Sequence, residues 1–194
     1  DRDLGIPSII YMHNVLPTMM GFKSVQYKPL GEPIGQFLAW HQLSFSTGQI
    51  GYLFVRSSGY TVSVDGSLVH GGLTLGDISI ATHRGVVYLY STLRKSIYIV
   101  TPAGEFKLQT PIGVVLTDIK GLASIGPHLV LYTNDTLVRS SVTDPMDFAP
   151  SLSTGAGALA ISAQTGNIVT IQSPTQSSAV IFTTGEAIQL TLQA

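Results

Sequence analysis

The chain contains no cysteine, which excludes a disulfide framework, a thiolate metal site and a thiol nucleophile. Charge is also scarce. Charged residues make up 11% of the 194 positions, and 10 Lys plus Arg against 11 Asp plus Glu leave a formal net charge of −1. No basic run is present to follow a phosphate backbone, which argues against general nucleic-acid binding as the main role. No apolar stretch approaches the ~20 residues needed to span a bilayer, and the opening DRDLGIPSII lacks the basic flank of a signal peptide. The first residue is Asp1 rather than Met, as expected of a processed or excised part of a longer polypeptide. A chain this long can bury a core without staples, so one domain with an extension is expected. Few charges beside abundant Gly, Ser and Thr suit surfaces buried in an assembly.

What is present is a repeat. Four apolar runs, GYLFV from Gly51, GVVYLY from Gly85, PHLVLY from Pro127 and GNIVTI from Gly166, recur about every forty residues. Each is preceded by a second strand-like run (LAWHQLSFS, DISIATH, KGLASIG, ALAISAQ) and followed by a third (GYTVSV, SIYIV, DTLVRS, SAVIF). In three of the four units a turn glycine, Gly66, Gly104 or Gly185, leads into a fourth. Period-2 alternation with β-branched and aromatic residues, as in Tyr60–Val64 and Ser96–Val100, argues strand rather than helix. Four antiparallel strands per ~40 residues predict an all-β, β-propeller-like array of about four four-stranded blades over residues 36–194. Four blades are at the low end for a closed ring and also suit part of a larger one. The plainer alternative is a β-sandwich or barrel with evenly spaced strands.

Residues 1–35 stand outside the repeat. Pro7, Pro17, Pro29 and Pro33 forbid a long helix and keep strands short or on edges, so an extended N-terminal arm is expected, packed on the ring or on a neighbour. An irregular first blade, or a strand completing the last one, is the other reading. The third unit breaks the pattern too. Where a turn is due near residue 144, the chain instead inserts RSSVTDPMDFAP, Arg139 to Pro150. Asp144-Pro145 favours turn initiation and Asp147 can accept bonds from amides just downstream, so an ordered loop is expected. Met146 and Phe148 then either tuck under the blade edge or dock on a partner.

Signals for chemistry are weak. The five histidines, His13, His41, His70, His83 and His128, show no metal-ligand spacing. The carboxylates, Asp65, Asp135, Asp144 and Glu186 among them, fall mostly at turns, with no pairing that marks a glycosidase. No GxSxG elbow occurs, and GAGALA at Gly155–Ala160 lacks the lysine and strand-to-helix setting of a phosphate loop, so it reads as a connector into the fourth unit. Arg94 and Lys95 read as a solvated hairpin tip, with an anion or partner contact as the alternative. No cofactor is expected. Trp40, Tyr60 and Tyr98 could serve as stacking surfaces in a propeller-type carbohydrate-binding module or adhesin.

NVLPTMMGFKSVQYKPL near the start and LVRSSVTDPMDFAPSLSTGAG later resemble structural proteins of tailed-bacteriophage virions, in particular the β-propeller tail (nozzle or hub) proteins of short-tailed phages. The likeness rests on a segment of the form S-x(n)-D-P-x-D-F, here Ser141, Asp144, Pro145, Asp147 and Phe148, and covers about a quarter of the chain. It implies a non-enzymatic subunit that rings a DNA conduit in the virion tail, assembled in the bacterial host cytoplasm. The implied contacts are with copies of itself, with neighbouring tail or portal proteins, and with DNA passing through the channel. The expected interface residues are Asp144, Pro145, Met146, Asp147 and Phe148 of the insertion, with Pro17 and Phe22 of the arm. Such subunits are often much longer than this chain.

Overall fold

The computed structural model describes residues 15–18, 21–24, 37–161, 166–175 and 178–191. The chain divides into two compact units, Asp1–Gly35 and Gln36–Ala194. In the first, β1 (Val15–Thr18) and β2 (Gly21–Ser24) form a two-stranded antiparallel ribbon in which Pro17 pairs with Phe22 across the strands. A proline is tolerated there because each strand of a two-stranded ribbon has a free edge. The side chains of Pro17 and Phe22, and with them the expected contact surface, lie outside the described residues.

The second unit is a series of antiparallel meanders. The first sheet comprises β3 (Phe37–Ser44), β4 (Ile50–Arg56), β5 (Gly59–Val64) and β6 (Ser67–Gly71). The second comprises β7 (Ile78–His83), β8 (Val86–Ser91), β9 (Ser96–Val100) and β10 (Phe106–Gln109). The third comprises β11 (Gly121–Ile125), β12 (His128–Tyr132), β13 (Thr136–Arg139) and β14 (Gly157–Ala160). The fourth shows β15 (Ile168–Thr175), β16 (Ser178–Thr183) and β17 (Ala187–Thr191). Among the described residues there is no helix, and no strand of the fourth sheet pairs with the first, so the array is not closed. Two-residue turns join strands where the sequence supplies Asp65-Gly66 and Arg84-Gly85. All four residues have positive φ, the type I′ geometry whose twist matches that of a hairpin.

The sheets stack face to face, and the alternation along each strand decides which neighbour a side chain meets. In β8, Val87 and Leu89 join Leu43, Leu53, Val55, Val62 and Val64 of the first sheet, while Tyr88 and Tyr90 join Leu122, Leu129 and Leu131 of the third. In β12, Leu129 and Leu131 face the second sheet, while Val130 and Tyr132 face Ile168, Ile171, Ala179 and Ile181 of the fourth. Middle sheets are thus buried on both faces, which is why β8 and β12 are near-continuous apolar runs. Each fully buried Val, Leu or Ile contributes about 1.5–3 kcal/mol, so the three junctions supply most of the stabilisation.

Two expectations need correction. Gly157–Ala160, expected to open the fourth unit, is the outer strand of the third sheet: its residues pair with Thr136–Arg139. A free β13 edge would leave backbone groups unpaired, and the first segment after the insertion satisfies them. The Gly166 run consequently forms the first described strand of its sheet, whereas the Gly51, Gly85 and Pro127 runs form the second strands of theirs. The fourth sheet shows three strands among the described residues, and residues 162–165 of the expected ALAISAQ strand lie outside them.

Candidate functional site

The Arg139–Pro150 insertion connects β13 to β14, and each residue of its motif has a structural task. The Ser141 amide donates to the Asp147 carbonyl (2.6 Å), and Ser141 Oγ accepts from the amides of Thr143 (3.1 Å) and Asp144 (3.4 Å). Asp144 begins a turn with Pro145 in the position that favours proline. Its carboxylate accepts from the Met146 amide (2.8 Å) and its carbonyl from the Asp147 amide (3.2 Å). Asp147 Oδ1 accepts from the Ala149 amide (3.0 Å), the downstream bond expected of it. A parallel bridge then joins the loop to the connection between β10 and β11: the Ile112 amide donates to the Met146 carbonyl and the Phe148 amide to the Ile112 carbonyl, each at 2.8 Å.

These bonds drive Phe148 inward. At 1% exposure its ring lies among Tyr88, Tyr90, Ile97, Ile119, Leu122, Leu129 and Leu131, with Met146 packed half-buried beside them. Phe148 therefore plugs the junction between the second and third sheets. Of the two readings of this side chain, the tucked one is the one the fold adopts, and a ring buried in its own chain has no area left to anchor a partner. The surface of the clasp is carried by other residues. Ile112 (60% exposed), Val115 (73%) and the fully exposed Leu152 present apolar side chains to solvent, beside exposed Asp144 and Pro150.

The same junction holds polar groups that sequence reasoning missed. Tyr90 Oη donates to the carbonyls of Leu116 (2.9 Å) and Ile119 (3.0 Å), pinning the β10–β11 connection; burial, then the nearby Asp118 charge, pushes its pKa up to about 12. Ser79 Oγ donates to the Leu122 carbonyl (3.0 Å) and accepts from the Leu122 amide (3.1 Å), stapling β7 to β11. Arg84 Nη2 reaches the carbonyls of Pro127 (3.2 Å) and Val142 (2.6 Å). His83 Nδ1 lies 2.8 Å from Ser124 Oγ, and its Nε2 is buried without a partner among the described residues. Burial, with the charges of Arg84 and His128 nearby, lowers the His83 pKa to about 4, so the ring is neutral at pH 7. The Ser79 bond to Leu122 and the Arg84 bond to Pro127 each span 43 residues and the His83 contact 41, about one repeat, while the Arg84 bond to Val142 spans 58. That period was the only signal in the sequence that could have found them.

The remaining candidates are dispersed. Tyr98 is buried, and Tyr60 stacks on Phe106 with ring centroids 4.1 Å apart, so both belong to the junction between the first two sheets. Of the proposed stacking rings only Trp40, 42% exposed, faces solvent. Arg94 is tied to the Thr74 carbonyl (3.0 Å) and hydroxyl (2.9 Å), while Lys95 has positive φ at the hairpin tip. His13 lies outside the described residues. His70 bonds Thr61 (2.9 Å) and His128 bonds the Ser140 carbonyl (2.6 Å). Burial lowers the His41 pKa. Among the described residues no three His, Asp or Glu side chains gather as a metal site.

This stacking of four-stranded meanders recurs in three solved structures. One is a selenomethionine-substituted virginiamycin B lyase from Staphylococcus aureus, with TM-score 0.50 and 12% identity over 93% of this chain and 64% of that one. A streptogramin B lyase gives 0.50 and 14% over 93% and 62%. A catalytically inactive virginiamycin B lyase from Staphylococcus aureus with quinupristin gives 0.52 and 11% over 93% and 74%. The fold is a β-propeller. At these identities the likeness is one of fold alone, and the chain spans 62–64% of the length of the first two lyases. No protein-family model and no curated protein matches the chain.

Proposed function

We propose that the chain is a non-catalytic structural subunit of a bacteriophage tail, a propeller that assembles into a ring with copies of itself and with neighbouring tail or portal proteins. The observation that carries this reading is the clasp, in which two segments bonded to each other bury Phe148 and leave Ile112, Val115 and Leu152 outside. Backbone held by its own hydrogen bonds loses little entropy on binding, and exposed apolar side chains on such a frame gain from desolvation. The scarcity of charge agrees, since unpaired charge is costly to bury in an interface. Around the clasp, His83, Ser124, Ser79 and Tyr90 serve to join sheets, which suits a structural role. The carbohydrate-binding alternative keeps one of its three stacking rings, Trp40.

Native mass spectrometry tests the proposal. The expected result is a ring-sized oligomer that Val115→Ser combined with Leu152→Ser weakens at least tenfold, with the melting temperature almost unmoved because exposed substitutions change stability by about 0.5 kcal/mol or less. A stable monomer that binds glycans overturns it.

A further inference from the structure

The first and fourth sheets have the composition of the middle ones, yet each packs against a neighbouring sheet on one side only. Strand alternation assigns the other side. In β4, Leu53 and Val55 face the second sheet, so Ile50 and Tyr52 point away from it, with Trp40 of β3 beside Tyr52 (ring centroids 6.4 Å apart). In β16, Ala179 and Ile181 face the third sheet, so Val180 and Phe182 point away. Trp40 is 42% exposed, Ile50 49% and Phe182 40%. Neither end sheet carries the charges of a solvated face. β3–β6 contain one, Arg56, and β15–β17 contain none. The middle sheets, buried on both faces, contain one each, Lys107 and Arg139.

We infer that these two sides join two copies of the chain head to tail, the fourth sheet of each on the first sheet of the other, closing one ring of eight sheets. The internal junctions identify the partner. The first sheet presents the side by which the second and third pack on the sheet before them, and the fourth presents the side by which the first three pack on the sheet after them. The ends are therefore the two halves of a junction that the chain already makes three times within itself. A contact of this heterologous kind either closes or propagates as a fibre, and two copies of four sheets make eight, within the 4–8 blades of closed propellers. Strands ~4.8 Å apart, rising ~3.3 Å per residue, give about 300 Å² for a face of four five-residue strands and about 240 Å² for three. Two junctions then cover about 1,100 Å² over their four faces, above the ~1,000 Å² that a specific interface needs. Faces this poor in charge lose little on desolvation. The inference rests on the reading that copies assemble, but it places the contact at the ends of the array rather than at the clasp.

Native mass spectrometry of the full chain tests it. Trp40→Glu and Phe182→Arg, one on each side, are each expected to weaken the dimer about tenfold or more. Mixing the two variants is expected to restore it, because the mixed pair keeps one unaltered junction and sets Glu against Arg at the other. Circular dichroism checks that each variant keeps its β fold; Ile50→Glu and Val169→Arg, at positions 49% and 59% exposed, repeat the exchange in place of any that does not. Val115→Ser combined with Leu152→Ser is expected to leave the dimer intact. A native chain found only as dimers that this clasp variant does not alter would support closure and sink the clasp reading. Oligomers that the clasp variant abolishes and the end variants leave unchanged would overturn closure and retain the clasp. A monomeric native chain, open fibres, or single variants that fail to complement on mixing would each overturn closure as well.

Discussion

Two buried residues show how much one side chain decides. Phe148 fills the space between two sheets, so Phe148→Ala is expected to cost about 3 kcal/mol or more. In a chain of this size that lowers the melting temperature by about 6 °C or more, which calorimetry would read. Asp147→Ala, by contrast, removes only the side-chain bond to Ala149. It should loosen the clasp and weaken oligomers while moving the melting temperature little. His83 gives a pH signature. Its folded pKa of about 4 lies below the ordinary 6.5, so the unfolded chain binds the proton more tightly between those values. Stability from the neutral ring is complete above pH 6.5 and is lost as pH falls towards 4. The native protein should therefore lose more melting temperature across that window than His83→Gln, which can still bond Ser124.

At the scale of elements, the inter-sheet staples matter more than the strands' own propensities. Ser79 supplies both a donor and an acceptor to the backbone of Leu122, so Ser79→Ala leaves two buried groups unsatisfied and should cost about 1–3 kcal/mol in denaturant unfolding. Strands such as β8 and β12 were legible because burial on both faces requires a continuous apolar run. Gly157–Ala160 was not. Ala158, Leu159 and Ala160 are all exposed, so no hydrophobic pattern marks which sheet the strand serves. Its place is set by the otherwise unpaired edge of β13, to which the insertion returns the chain. The insertion itself was readable as an ordered loop from Asp144-Pro145 and Asp147. That Phe148 tucks inward was one of two readings open in the sequence, but which junction it fills was not readable, because its pocket is built from Tyr88, Tyr90 and Ile97, far away along the chain.

For the whole molecule, the open array leaves one face of the first sheet and one of the fourth outside the three cores. Val169 and Phe182, 59% and 40% exposed, alternate in β15 and β16 with the buried Ile168 and Ile181. Removing residues 1–35 is expected to leave a folded β domain that associates more weakly, as sedimentation would show; loss of the cooperative unfolding transition on truncation would instead make the arm part of the core. The strand period, the two-residue turns and the all-β character are readable from the residues alone, because these follow from alternation and from local φ preferences acting within a few residues. Tertiary structure decided which sheet β14 completes, that Phe148 faces inward while Ile112, Val115 and Leu152 face outward, and that His83 is neutral. The β14 pairing joins residues about half a repeat apart within one sheet, whereas the Phe148 pocket and the His83 surroundings draw on atoms about one repeat or more away, brought near only when the sheets stack.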